Sequence, residues 1–292
     1  MSDQKVEIHR KVVTLGAKSG AERLRLIGEG LPVLLASAQE LADAEKQLPR
    51  EHQRARAILI GQAEEEAAKI LILLDSVRCP PKRQKALNRT LGNFYNHLAR
   101  LIYAAASGWH AATLPELAWY VDHDRTSHYL DGQYGPEFLF RNDLLDEREG
   151  FLYADLVDED GTLVWRKPGP RFGGVPMEHD LLGSNVPWFH ALPLVEALSR
   201  VGMFTPVGLK IVARIWQPAK LDDQTHVMEI KALNRRTLEK LGELGHLSKA
   251  SEEDIRRVMD WQWPMYSLDF TEIKVTEDAI RRERDPAYAD YV

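Results

Sequence analysis

From Leu24 the apolar side chains fall at Leu24, Ile27, Leu31, Leu34, Ala38 and Leu41. The alternating steps of three and four place them on one face of a helix. Gly28, Gly30 and Pro32 interrupt this pattern and predict two segments, the firmer one starting near Pro32, because proline suits a first helical turn. Pro49 closes it. A second helix is predicted from about residue 50 to 77, stopping before Pro80-Pro81. A third runs from residue 82 to about 106, with Leu87, Leu91, Phe94, Leu98, Leu101 and Ala105 as its stripe. A fourth begins near Leu114-Pro115 with Leu117, Ala118 and Val121, then gives way to the polar run "DHDRTSHYLDGQYGP". Helices joined by short loops pack as antiparallel neighbours.

After Gly150 the period changes. "GFLYADLVDEDGTLVWRKPG" has two β-rich runs around an Asp-Gly turn, the pattern of a hairpin. "GPRFGGVPMEHDLLGSNVP" reads as a Gly/Pro-rich connection. Helical patterns then resume in "PWFHALPLVEALSRV" and in "TPVGLKIVARIW", where Thr205 is placed to cap and Pro206 to occupy the first turn. A polar helix is predicted around 225–244, and Ser251 with Asp254 opens another. "YSLDFTEIKV" reads as a strand and the tail "RRERDPAYADYV" as loose. No internal repeat is present. The fold class that follows is mainly α: an antiparallel helical bundle with a small β-hairpin and a C-terminal helical appendage, divided as residues 20–168 and 169–292.

The second helix is unusual. Ile60, Ala63, Ala67, Ile70, Leu71 and Leu74 share one side, yet Glu65 is not on a polar back face, since Ile58 and Ile72 lie seven residues either way. A helix apolar nearly all round is buried and central. Glu65 and Lys69 then read as an i, i+4 pair in the favourable order. On the surface such a pair contributes a few tenths of a kcal/mol; inside, desolvation can exceed the Coulomb gain, so it serves register or function. Glu64 points elsewhere and reads as solvated. On the third helix Thr90, Asn93, His97 and Arg100 form a companion polar stripe beside the apolar one. A histidine there is most simply a hydrogen-bonded boundary residue. Beside a Glu-Lys pair it becomes the best acid–base candidate, because imidazole titrates near neutrality without help.

Charge adds one feature. The net charge of −6 argues against a broad nucleic-acid-coating surface. Between Asp75 and Glu116, however, there is no acidic residue, while Arg78, Lys82, Arg83, Lys85, Arg89 and Arg100 all fall there. Such a window is either a solvated basic face or an anion or RNA contact. Cys79 is the only cysteine, so no internal disulfide forms and a reducing cytoplasm is expected. The longest apolar run is too short to span a bilayer, and the opening residues lack the apolar core of a signal peptide.

Several stretches together resemble the AbiV family of abortive-infection proteins, a bacterial phage-defence group with a HEPN-like helical domain. "EGLPVLLASAQELADAE" is similar to that family's first core helix. "AILIGQAEEEAAKILIL" is similar to its second, with its Glu-Glu-x-x-Lys core at Glu65, Glu66 and Lys69. "FYNHLARL" is similar to the third, a histidine followed by a basic residue, here His97 and Arg100. "REGFLYADL" followed by "GTLVWRKP" is similar to a stretch where an aromatic-aspartate step follows a basic residue, here Arg148, Tyr153 and Asp155. The likeness spans roughly residues 30–168.

The resemblance implies a HEPN-type bundle that binds and in some members cleaves RNA, a role in stopping phage propagation with RNA or a phage or host protein as partner, and a homodimer. Cleavage would be metal-independent and need no cofactor. His97 would act as general base or acid, Arg100 or Arg89 would stabilise the transition state, Glu65 and Lys69 would orient these groups, and Asn93 is a further catalytic candidate. Arg83, Lys85, Arg89 and Tyr153 would contact RNA. Catalytic HEPN ribonucleases carry Arg, four to six residues, then His; here seven residues separate Arg89 from His97. A non-catalytic protein-interaction module is therefore the alternative. Asp122, His123, Asp124 and His128, and likewise Glu178, His179 and Asp180, lack a defined metal-ligand spacing, so no metal site is expected. Trp188, Phe189, Trp216, Trp261 and Trp263 fit core packing better than base stacking. Residues 169–292 carry no motif that assigns them a role.

Overall fold

The computed structural model describes residues 11–132, 135–139, 142–159, 161–169, 171–172, 175–176 and 191–284. It is mainly helical, with small two-stranded antiparallel sheets. Helix α1 (Gly20–Gln47) opens on Ser19, whose hydroxyl accepts from the Glu22 N–H at 3.3 Å. It is one helix, not two. Pro32 sits inside it on the solvent side, while Ile27, Leu31 and Ala38 are buried on the opposite face. The ring's cost of about 3 kcal/mol in a helix interior is offset by packing along the length of the next helix. Gly28 is no breaker either: a Cβ there would meet Leu209 Cδ1 at 3.3 Å, so the glycine admits another helix at close range.

Helix α2 (Gln53–Arg78) is the central rod, buried on nearly every side from Ala63 onward. The predicted third helix is two helices. Helix α3 (Gln84–Asn93) ends, and α4 (His97–Ala106) begins after Asn96, which is extended (φ −85°, ψ 118°) and caps α4 by accepting from the Ala99 N–H at 3.3 Å. Asparagine is a strong N-cap, and its side chain competes with a continuous helix. The Thr90–Arg100 stripe is therefore broken: Thr90 is buried and donates to the Ala86 carbonyl at 3.0 Å.

Helix α5 (Leu114–Asp124) starts on a Thr113 cap with Pro115 in its first turn. The polar run that follows is structured: β1 (Tyr129–Gly132) pairs with β2 (Gly135–Leu139), and α6 (Asp143–Leu152) is capped by Asn142. The expected hairpin is present as β3 (Asp155–Glu159) and β4 (Thr162–Arg166), turning through Gly161 at φ 79°. Strands β5 (Arg171–Phe172) and β6 (Val175–Pro176) form a minimal ladder. Helices α7 (Ala191–Arg200), α8 (Pro206–Trp216), α9 (Val227–Glu243) and α10 (Glu252–Met259) match the later patterns, with Thr205 and Ser251 capping as expected. "YSLDFTEIKV" is not a strand. Only Ile273 makes a bridge, to Thr126, because Asp269 ties the Thr271 N–H into a local turn at 3.0 Å. The first part of the tail is helical, in α11 (Glu277–Arg284).

One hydrophobic cluster joins both halves, from Leu31 and Leu71 to Leu198, Leu209 and Phe270. Its polar centre is Arg78, fully buried, with Cζ 3.9 Å from the ring centroids of both Trp216 and Trp261. Arg78 pairs with Asp75 at 3.0 Å and donates to the Gln262 carbonyl at 2.8 Å. Asp75 also accepts from the Tyr103 hydroxyl at 2.9 Å and the Met265 N–H at 2.7 Å. Burial pushes the Asp75 carboxyl up and the Arg78 guanidinium down to about 10. The basic window is thus not one solvated face, since Arg78 and Arg100 are interior while Lys82, Arg83, Lys85 and Arg89 are exposed. Among the described residues no helix is long and apolar enough to cross a membrane.

Candidate functional site

Three elements converge on Glu65 of α2, which is 1% exposed. Its Oε2 lies 2.9 Å from His97 Nδ1 and 3.1 Å from Arg100 Nη2, both from α4. Its Oε1 accepts from Arg148 Nε of α6 at 2.6 Å. The break at Asn96 is what aims α4 this way, placing His97 and Arg100 three residues apart in its first turn. Helix α6 is fixed at both ends. Asn142 donates to the Asp124 carbonyl at 2.7 Å, and Arg54 of α2 donates to the carbonyls of Phe151 (2.8 Å) and Leu152 (2.9 Å). Arg148 is thereby held against α2. Beside it lies a small cleft of about 30 Å³, room for one or two waters, walled by Gly61, Gln62, Leu101, Leu144 and Glu147. Burial, with Asp143 and Asp146 adding to it, pushes the Glu147 carboxyl up to about 7.

The predicted Glu65–Lys69 pair does not form. Lys69 pairs with Glu66 instead and lies 5.6 Å from the Phe94 ring centroid, because Glu65 is already taken by cations from α4 and α6. Glu64 is not solvated: it is 4% exposed, and its Oε2 accepts from the N–H groups of Ala191 (2.9 Å) and Leu192 (3.2 Å), the first turn of α7. Burial pushes it up to about 7 against the opposing pull of those two donors. Asn93 ends α3, where its carbonyl accepts from the Asn96 N–H at 3.0 Å; no side-chain hydrogen bond among the described residues joins it to Glu65. Arg89 donates to the Ser267 carbonyl at 2.6 Å and Arg83 lies over the Tyr266 ring, so these two reach toward the 265–268 segment rather than Glu65. Lys85 and Tyr153 are exposed.

The His97 Nδ1 atom faces two demands that exclude each other. Arg100 Nη2 is 2.7 Å away and can only donate; Glu65 Oε2 is 2.9 Å away and can only accept. If Nδ1 carries the proton it bonds Glu65, Arg100 falls back on the same carboxylate, and Nε2 holds a lone pair. If Nδ1 accepts from Arg100, Nε2 carries the proton. The side chain is 47% exposed, so its free edge meets solvent in either state. One tautomer offers a base at the free edge and the other a hydrogen-bond donor. Partial burial, and behind it Arg100 and Arg148, hold the imidazole below its ordinary range, with Glu65 opposing. It is therefore mostly neutral at pH 7.

No protein-family model, curated protein or solved structure matches the chain.

Arg148 is the residue that pattern reading assigned no chemistry. Its signal was available: it shares a helix face with Leu144 and Phe151, a cation on an apolar stripe. Among the described residues no group of three His, Cys, Asp or Glu side chains is placed to hold a metal. Asp122 pairs with Arg125 at 2.8 Å and His128 with Asp143 at 3.3 Å; Glu178, His179 and Asp180 lie outside the described residues, as do Trp188 and Phe189. Trp216, Trp261 and Trp263 are core residues, each 2% exposed or less.

Proposed function

We propose that this chain is a HEPN-like phage-defence effector of the AbiV type that binds RNA and cleaves it without a metal, acting as a homodimer. The observation that carries the reading is the Glu65–His97 contact at 2.9 Å, with the outer imidazole edge in solvent and two arginines at the same carboxylate. A buried carboxylate on Nδ1 orients the ring, fixes its tautomer and stabilises the imidazolium that forms.

In this mechanism His97 Nε2 takes the proton of an RNA 2′-hydroxyl. The alkoxide attacks the adjacent phosphorus, the bond to the 5′-oxygen breaks, and that oxygen takes a proton from water. The products are a 2′,3′-cyclic phosphate and a 5′-hydroxyl. The terminal nitrogens of Arg148 have no protein partner among the described residues, which suits them to the charge on the phosphorane-like transition state. Glu65 is a positioning residue. Incubating purified protein with total RNA in EDTA tests this: cleavage should occur and should fall by about 10²–10⁴-fold in His97→Ala.

A second reading, a non-catalytic module acting through a protein partner, draws on the β3–β4 hairpin. Leu156 and Trp165 pair across it with Leu163 on the same face, and all three are exposed, as is Tyr153 nearby. RNA bound but left intact favours this second reading.

A further inference from the structure

We propose that the groove running from α5 to α10 is a second site, which takes a nucleotide: the base against Trp109, Tyr120 and His123, the phosphate beside Arg256 and Arg257. The proposal goes beyond the Glu65–His97 reading and shares no side chain with it.

Two open cavities meet at His110. One, of about 430 Å³, is lined by Trp109, His110, Tyr120, His123 and Asp124. The other, of about 260 Å³, is lined by Ser107, His110, Arg256, Arg257, Asp260 and Trp261 among others. The first is an aromatic chamber. Trp109 and Tyr120 lie 5.6 Å apart between centroids, and His123 stacks on Trp119 at 5.9 Å with planes 20° apart. Trp119 is 63% exposed, a large ring left at the rim of this chamber. Flat apolar faces with one carboxylate in the wall suit a heterocyclic base, which can stack on the rings and donate an amino N–H to Asp124.

The second cavity supplies the cations, Arg256 and Arg257, with Glu253 and Asp260 also in its wall. Arg256 and Arg257 both pair with the single carboxylate of Glu253, while Asp260 is taken by Lys231 at 2.6 Å. The two guanidinium groups thus share one carboxylate, and the other acid in the wall is held by a lysine from outside it. Both arginines are at the surface, with side chains 71% and 38% exposed, so a phosphate can replace Glu253 without desolvating a buried ion. Guanidinium groups favour phosphate because their planar fork matches its oxygens. Base pocket, shared His110 and cationic pocket follow one another in the order of the parts of a nucleotide. A free nucleotide and a unit of single-stranded RNA present the same chemistry here.

The test is titration calorimetry, with tryptophan fluorescence in parallel, of the full chain against AMP, adenosine, ribose 5-phosphate and a short oligoadenylate. AMP should bind at least about tenfold more tightly than adenosine or ribose 5-phosphate, since each lacks one half of the contacts. An oligoadenylate binding more tightly than AMP identifies single-stranded RNA as the source, and equal affinity identifies the free nucleotide. His123→Ala should weaken AMP by about tenfold, and the double variant Arg256→Ser, Arg257→Ser should reduce AMP to the affinity of adenosine. His123 and Arg256 are exposed and Arg257 is half-buried at the surface, so the fold tolerates these changes, which circular dichroism verifies. His97→Ala should leave AMP binding intact. No binding of AMP or oligoadenylate at millimolar concentration overturns the proposal. So does binding indifferent to both groove variants, or binding abolished by His97→Ala, which would put the nucleotide at Glu65.

Discussion

Replacing Arg78 by methionine removes the one cation at the centre of the shared core. Methionine keeps much of the aliphatic volume between Trp216 and Trp261 but loses the pair with Asp75 (3.0 Å), the bond to the Gln262 carbonyl (2.8 Å) and two ring contacts at 3.9 Å. The guanidinium's own desolvation cost disappears with it, so these losses do not simply add. The dominant remainder is Asp75, 2% exposed and left without its counter-ion. Breaking a buried pair on one side costs about 3–5 kcal/mol, a large part of the roughly 5–15 kcal/mol that holds a domain folded. Urea unfolding followed by circular dichroism and tryptophan fluorescence measures it. The two probes should coincide in the wild type, because Trp216 and Trp261 belong to the same core as α2. Arg78→Met should lower stability by about 3–5 kcal/mol. Adding Asp75→Asn should recover part of this loss, as the uncompensated charge is gone while Tyr103 and Met265 can still donate to the remaining oxygen. A cost under about 1 kcal/mol for Arg78→Met, or a double variant that loses the sum of the two singles, would refute the reasoning.

Other expectations are equally open to measurement. RNA cleavage should fall by about 10²–10⁴-fold in His97→Ala, the usual worth of a general base, and unchanged cleavage would discard His97. Because partial burial holds His97 below its ordinary range, the wild-type rate should climb with pH and level off earlier than it would for an unperturbed imidazole. In Glu65→Gln the inflection should move lower still, since Glu65 is the group that raises it; an upward move in the pH–rate profile would contradict this. Glu64 is raised from 4.5 to about 7 in the folded chain, so it binds its proton more tightly there than when unfolded. Its contribution is favourable at acid pH and is lost as pH rises from about 4.5 to about 7, up to about 3 kcal/mol in all. Glu64→Gln, which does not titrate, should therefore gain on the wild type across that window in paired urea titrations. A difference that stays flat with pH would show that burial does not govern this carboxylate.

Much of the framework is written locally. Ser19, Thr113, Thr205 and Ser251 cap helices where short polar side chains precede apolar periodicity, and the β3–β4 hairpin turns through Gly161. These features need only neighbours within a turn or two, so sequence patterns determine them. The burial of α2 was also legible, because no face of it is polar throughout. Partner choice was not. Glu65, Glu64 and Lys69 lie within two turns of one helix, yet one meets α4 and α6, one the N-terminus of α7, and one its neighbour Glu66. Periodicity gives the direction a side chain leaves its helix, not which distant element arrives there. Pro32 and Gly28 misled for the same reason: local propensity disfavours them in a helix, while packing against α2 and α8 outweighs it. The chain alone determined which apolar faces had to be inside, but not that Glu64 and Arg78 would join them. Only the tertiary structure decided that Arg148 and His97 would share one carboxylate, because that depends on three helices meeting across long stretches of sequence, where the contact energy resides in no single segment.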